Sequence, residues 1–124
     1  MRRPGQIALL RFPQSDLGLG KLRPVVLLCR APGPFDDWLV CMVSSQLRQA
    51  VTGFDEVIRE SDEDFAQSGL KTTSVFRISR LAIVEASVLL GAIGEVSPTR
   101  LRQIRARVAR WVEGPQQAAN EPVP

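Results

Sequence analysis

Three side chains in this sequence have the chemistry to hold a phosphate: Arg23, Ser44 and Arg77. Arg23 precedes Pro24, and the proline ring keeps the residue before it extended. A guanidinium restricted in this way at a strand start suits a two-pronged grip on a phosphate. It is equally the kind of arginine that decorates strand ends. Ser44 opens Ser44-Ser45-Gln46 after an apolar run. Its hydroxyl is either a donor to an anion or ordinary turn chemistry. Arg77 shares a strand face with Val75 while Phe76 takes the other face. An arginine so placed is paired with a carboxylate or open to an anion.

Other chemistries drop out on composition. There is no histidine, which removes every histidine base, the histidine triads and most zinc sites. Cys29 and Cys41 have no CxxC spacing and sit in apolar segments, so both are expected as small buried hydrophobes rather than a redox pair or metal ligands. Gly18-Leu19-Gly20-Lys21 suggests a phosphate loop, but Ser15 and Leu22 stand where the motif needs glycine and a hydroxyl residue. A strand follows it rather than a helix, so no helix dipole faces a phosphate. The acidic trio Asp62, Glu63 and Asp64 follows Ser61 and is expected to cap a helix rather than bind metal. The net charge of +3 is compatible with a polyanionic partner.

The elements that must position these residues are short. With 124 residues the chain is sized for one domain, expected over 1–113, with a Pro/Gln/Ala-rich tail over 114–124. Apolar patterning predicts strands over 6–12, 22–29, 38–43, 54–59, 74–85 (one bent strand or two) and 88–96. Val25-Val26-Leu27-Leu28 is apolar on both faces, so that strand should be central. Gly91 and Gly94 mark a bulge or a close approach. A short helix should start at Ser61 and end at Gly69. Ser97-Pro98 opens a longer C-terminal helix with Leu101, Ile104, Val108 and Trp111 on one face. Arg100, Arg102, Arg107 and Arg110 fall elsewhere on it, as a solvated face or an RNA-binding one. The whole is mainly β (α+β), a small antiparallel barrel with helices at its edge. No apolar run approaches ~18 residues and no signal peptide is seen, so a cytoplasmic protein without a membrane span is expected.

At these residues the chain resembles the MazF/PemK toxins of type II toxin-antitoxin systems. Gly5 to Leu10 resembles the family's opening strand, and Leu22 to Leu27 resembles its arginine-proline segment. Val43-Ser44-Ser45, the stretch Gly69 to Arg77, and Gly94 to Ser97 follow in family order. The resemblance spans Gly5 to about Val112. It implies an SH3-like barrel of the CcdB/MazF kind, usually a homodimer. It also implies metal-independent, cofactor-free cleavage of single-stranded RNA at short sequences. A cognate antitoxin would occlude the RNA groove, and DNA would be met only through that antitoxin. Such cleavage needs a base for the 2′-hydroxyl, charge stabilisation on the phosphorane, and a proton for the 5′-oxygen. By the resemblance, Arg23 matches the arginine of the catalytic centre, Ser44 the hydroxyl residue, and Arg77 a second arginine of PemK-like members. Asp16, Lys21, Ser45, Gln46, Lys71, Thr73 and Ser79 are the positions expected to touch RNA. Two departures stand out. Ser79 occupies the place of an aspartate proposed as the base, and the first loop carries no histidine. The competing expectations are a gyrase poison on the same fold and an RNA-binding barrel that has lost its chemistry.

Overall fold

The computed structural model describes residues 1–12 and 20–114. Six strands are present: β1 (Gln6–Phe12), β2 (Lys21–Arg30), β3 (Asp37–Ser44), β4 (Glu56–Ile58), β5 (Ser74–Glu85) and β6 (Ala92–Glu95). They form one sheet in the order β4-β5-β3-β2-β1-β6, and every pairing is antiparallel. The sheet curls into a half-barrel with helix α1 (Phe65–Ser68) after β4 and helix α2 (Pro98–Glu113) at the end of the described chain. This is the mainly β architecture that the patterning predicts. The tail 115–124 and most of the first loop, including Asp16, lie outside the described residues.

Both sheet faces carry a cluster of buried side chains, which explains the doubly apolar central strands. Ile7, Val26, Leu28, Cys41, Val43, Phe76 and Ile78 point to one side, where Ile104 of α2 covers them. Ala8, Val25, Leu27, Trp38 and Val40 point to the other, where Leu89 lies over them. Alternate residues along β2 thus feed two cores, and over Val25 to Leu28 neither face of this strand is left for water.

Two expectations about the elements need correction, and of the two forms open to residues 74–85 the single bent strand is realised. The last strand is shorter than 88–96. Residues 86–88 form a 3₁₀ turn, and Leu89 leaves the sheet to cap the second cluster. β5 is one strand with a break in register: Cys41 faces Leu81 but the next residue, Met42, faces Arg77. Ile78, Ser79 and Arg80 therefore bulge out, and the Ile78 N–H is satisfied by Asp55 Oδ1 at 2.9 Å. Ser61 does not cap α1. Asp64 takes the cap position but makes no cap bond, because its carboxylate is turned to the start of α2. Gly69 does end α1, with φ +74°. A side chain at Gly94 would collide with the backbone of Gln67 and Ser68, so α1 lies directly on β6.

The arginines of α2 divide: Arg102 and Arg110 are exposed, as on a solvated face, while the others are engaged. Arg100 and Arg107 turn inward to carboxylates, and Arg105 donates twice to the Leu28 carbonyl, at 2.9 and 2.6 Å. Ser97 caps α2 as expected, its hydroxyl accepting from Arg100 N–H at 3.1 Å. Leu101, Ile104 and Val108 pack on the first cluster. Trp111 is half exposed and meets Phe54 edge-on at 5.8 Å. Cys41 is buried as expected, and burial pushes its thiol up to about 12. Cys29 is exposed, contrary to expectation, because it follows the register break in β2 after Leu27.

Candidate functional site

The β2–β3 register brings Arg23 and Ser44 together. Val25 pairs with Met42, so the ladder continued two residues outward sets Arg23 beside Ser44. Pro24 holds the strand start extended, as its sequence position requires. Both residues line a cavity of about 570 Å³, shared with Lys21, Ser45, Gln46 and Lys71. Lys71 arrives on the loop that Gly69 opens, together with Thr72 and Ser74. Three cations and several hydroxyls thus face one hollow, and among the described residues that line it none is a carboxylate. Such a lining attracts an anion with alcohol-like oxygens.

The remaining candidates lie elsewhere. Thr73 does not line the cavity; its hydroxyl accepts from the Glu60 N–H at 3.3 Å. Ser79 is exposed on the β5 bulge and is not part of the lining. Asp16 falls outside the described residues. Arg77 also lies outside the lining, but it reaches Ser44 indirectly. Its Nη1 donates to Gln49 Oε1 at 2.8 Å, and Ser44 Oγ donates to the same oxygen at 3.2 Å. Ser44 Oγ in turn accepts from the Gln46 N–H at 3.0 Å.

Behind Arg77 stands Asp55, whose side chain is 1% exposed, with Oδ2 3.8 Å from Arg77 Nε. Its oxygens are fixed by the N–H groups of Val51 and Ile78, both at 2.9 Å. Of the two outcomes open to Arg77, pairing with a carboxylate is thus realised, though at a distance beyond a hydrogen bond. The Nε atom is buried without a hydrogen-bond partner.

Gln49 and Asp55 were invisible to the sequence reading. Gln49 sits in a polar turn where any glutamine would pass unnoticed. Asp55 offered one signal, a carboxylate next to Phe54 at the mouth of an expected strand.

A second cleft of about 570 Å³ has the opposite character, being lined by Asp62, Glu63, Asp64 and Arg100. Arg100 bonds Glu56 at 2.9 Å, Asp62 at 2.8 Å and Asp64 at 3.0 Å. Burial opposes ionisation of Asp64, but its bonds from Arg100 and the Ser97 N–H outweigh this and hold the carboxyl below the usual range. Asp62 is lowered by the Arg59 N–H and then by Arg100. Glu56, Asp62 and Asp64 thus clamp α2, and among the described residues no group of carboxylates and cysteines is disposed to hold a metal ion. No helix of the described chain is long and apolar enough to cross a membrane.

Comparison with known proteins agrees with this fold. Among solved structures, the Mycobacterium tuberculosis toxin MazF-mt6 matches with a TM-score of 0.61 at 19% identity. The match covers 90% of this chain and 97% of that one, and at this identity it shows a shared fold. No curated protein sequence matches the chain. The model of the PemK-like, MazF-like toxins matches residues 3–112, including every strand, the cavity and nearly all of α2. The chain belongs to the PemK-like, MazF-like toxin family of type II toxin-antitoxin systems.

Proposed function

We propose that this toxin is a metal-independent endoribonuclease that cleaves single-stranded RNA in the cytoplasm and is silenced by an antitoxin laid over its basic cavity. The observation that carries the reading is the cavity itself: Arg23 and Ser44 side by side, with Lys21 and Lys71 on the rim and no carboxylate among the described lining residues. In the reaction the RNA 2′-hydroxyl gives its proton to water as its oxygen bonds to phosphorus, and the 5′-oxygen takes a proton from water as its bond to phosphorus breaks, leaving a 2′,3′-cyclic phosphate. Arg23 holds the phosphoryl oxygens through the charge build-up, Ser44 donates a hydrogen bond, and Arg77 adds a second positive charge from one side. Both arginines act as charge stabilisers, since a guanidinium releases its proton too reluctantly to be a base. Lys21, Ser45, Gln46 and Lys71 track the neighbouring backbone. Thr73 and Ser79 would touch RNA only beyond the cavity rim.

The test is RNA end mapping after induced expression, with wild type beside Arg23→Ala. Loss of one such stabilising donor costs about a hundredfold or more in rate. Full cleavage by Arg23→Ala would remove the assignment. A second reading has one observation in its favour: Ser79 stands away from the cavity, in the place where PemK-like members carry an aspartate. An RNA binder without turnover would show salt-sensitive binding and no new RNA ends. The gyrase-poison reading predicts inhibited supercoiling with RNA intact, and no feature of the site favours it.

The homodimer expected from the resemblance has a suitable edge. Among the described residues β4 pairs only with residues 74–76 of β5, so residues 81–85 are bonded there on the β3 side alone. Two copies of this edge, paired antiparallel about Ala82 and Ile83, would set Arg80 opposite Glu85 twice. Arg80→Glu should then yield monomers in sedimentation experiments, and adding Glu85→Arg should restore pairing. Unchanged mass in Arg80→Glu would place the contact elsewhere.

A further inference from the structure

Gln49 Oε1 takes two hydrogen bonds, from Arg77 Nη1 and from Ser44 Oγ. Arginine can only donate, so the atom facing it is the amide oxygen and not the nitrogen. This oxygen therefore sits where two of the three proposed phosphate-holding groups converge. A non-bridging phosphoryl oxygen would be held by the same two donors, and more strongly, because its charge reinforces both bonds.

We propose that Gln49 Oε1 occupies a phosphoryl-oxygen subsite between Ser44 and Arg77, and that RNA enters it by displacing the glutamine side chain. The inference rests on the ribonuclease reading and deepens it. Three features support exchange at this point. Gln49 is exposed on the short 3₁₀ turn Leu47–Gln49, so its side chain can swing into water without disturbing the core. Arg77 does not follow it, because the buried Asp55 carboxylate holds the guanidinium from behind and is itself fixed by two backbone N–H groups. Ser44 is 8% exposed and its single proton is given to Gln49 Oε1, so that proton has to leave Gln49 before it can reach a phosphate. Displacement releases a neutral hydroxyl and a charged N–H together, aimed at one point.

The probes are inorganic phosphate, measured by calorimetric titration, and a single-stranded RNA substrate, measured by cleavage. Gln49→Ala removes the occupant and should tighten phosphate binding about five- to tenfold, with a matching fall in KM for RNA and little change in kcat. Gln49→Glu places a permanent carboxylate against Arg77 and should weaken both. In Gln49→Ala/Arg77→Ala the gain should vanish, since one of the two released donors is gone. An unaltered melting temperature in Gln49→Ala shows that the effect is local. Phosphate bound equally or more weakly by Gln49→Ala overturns the subsite. If phosphate binding follows the expected pattern while no form of the protein cuts RNA, the subsite stands and the ribonuclease reading falls. If wild type cuts RNA, Arg23→Ala does not, and Gln49→Ala behaves as wild type toward both probes, the reverse holds.

Discussion

Arg100 and Arg77 are almost equally buried, with side chains 11% and 15% exposed. Arg100 is surrounded by three carboxylates within 3.0 Å and also donates to the Val57 carbonyl. Arg77 has one carboxylate at 3.8 Å, one amide oxygen, and an Nε with no acceptor. A cation whose donors are all met is a structural clamp. One that is held in place yet incompletely satisfied keeps attraction in reserve for an incoming anion. The two residues carry the same charge, and their surroundings assign them to different tasks.

Removing the saturated arginine should have the largest effect on folding. Arg100→Met leaves Glu56 and Asp64 buried and short of a partner, a change that costs about 3–5 kcal/mol. A fall in melting temperature of at least about 10 °C is expected by calorimetry. A fall of only a few degrees would mean that Arg107, which also bonds Glu56, carries the clamp alone.

Next in size, on activity rather than stability, stands the hundredfold loss expected in Arg23→Ala. Its melting temperature should stay close to wild type, since Arg23 is only half-buried at a strand start.

Acid sharpens the comparison further. Asp62 and Asp64 have folded values below their unfolded ones, so they stabilise the fold above the unfolded value of about 4 and lose that contribution as pH falls through the folded values. Melting temperature should drop steeply below about pH 4 and less steeply in Asp64→Asn, which has no proton to gain. Parallel curves would show that the clamp does not govern acid unfolding.

The smallest effect concerns the rim. Lys21→Ala and Lys71→Ala should each reduce the salt slope of single-stranded RNA binding by about 0.7. Equal affinity losses without a change in slope would mean that these lysines act by packing.

Much of the fold was legible because it depends on local periodicity. Val25 to Leu28 announced a central strand, and Ser97-Pro98 announced the start of α2. The β5 bulge was not legible, since it arises from Asp55 holding the Ile78 N–H across 23 positions of sequence. Of the candidate site, Arg23, Ser44, Lys21, Ser45, Gln46 and Lys71 converge on one cavity, while Thr73 and Ser79 turn elsewhere. Ser61 failed as a cap because Asp64 had a better use, 36 positions away at Arg100.

What the sequence determined by itself is therefore the set of elements, the stiffness of Arg23 before its proline, and the absence of any histidine chemistry. Those follow from backbone sterics and side-chain type, which act within a few residues. Tertiary structure alone decided which arginine is a saturated clamp and which is held with a donor unmet among the described residues. Arg100 meets Glu56 across 44 positions and Arg77 meets Gln49 across 28, and both meetings depend on strand register. A slip of one residue in β5 would send the Arg77 side chain to the other face of the sheet.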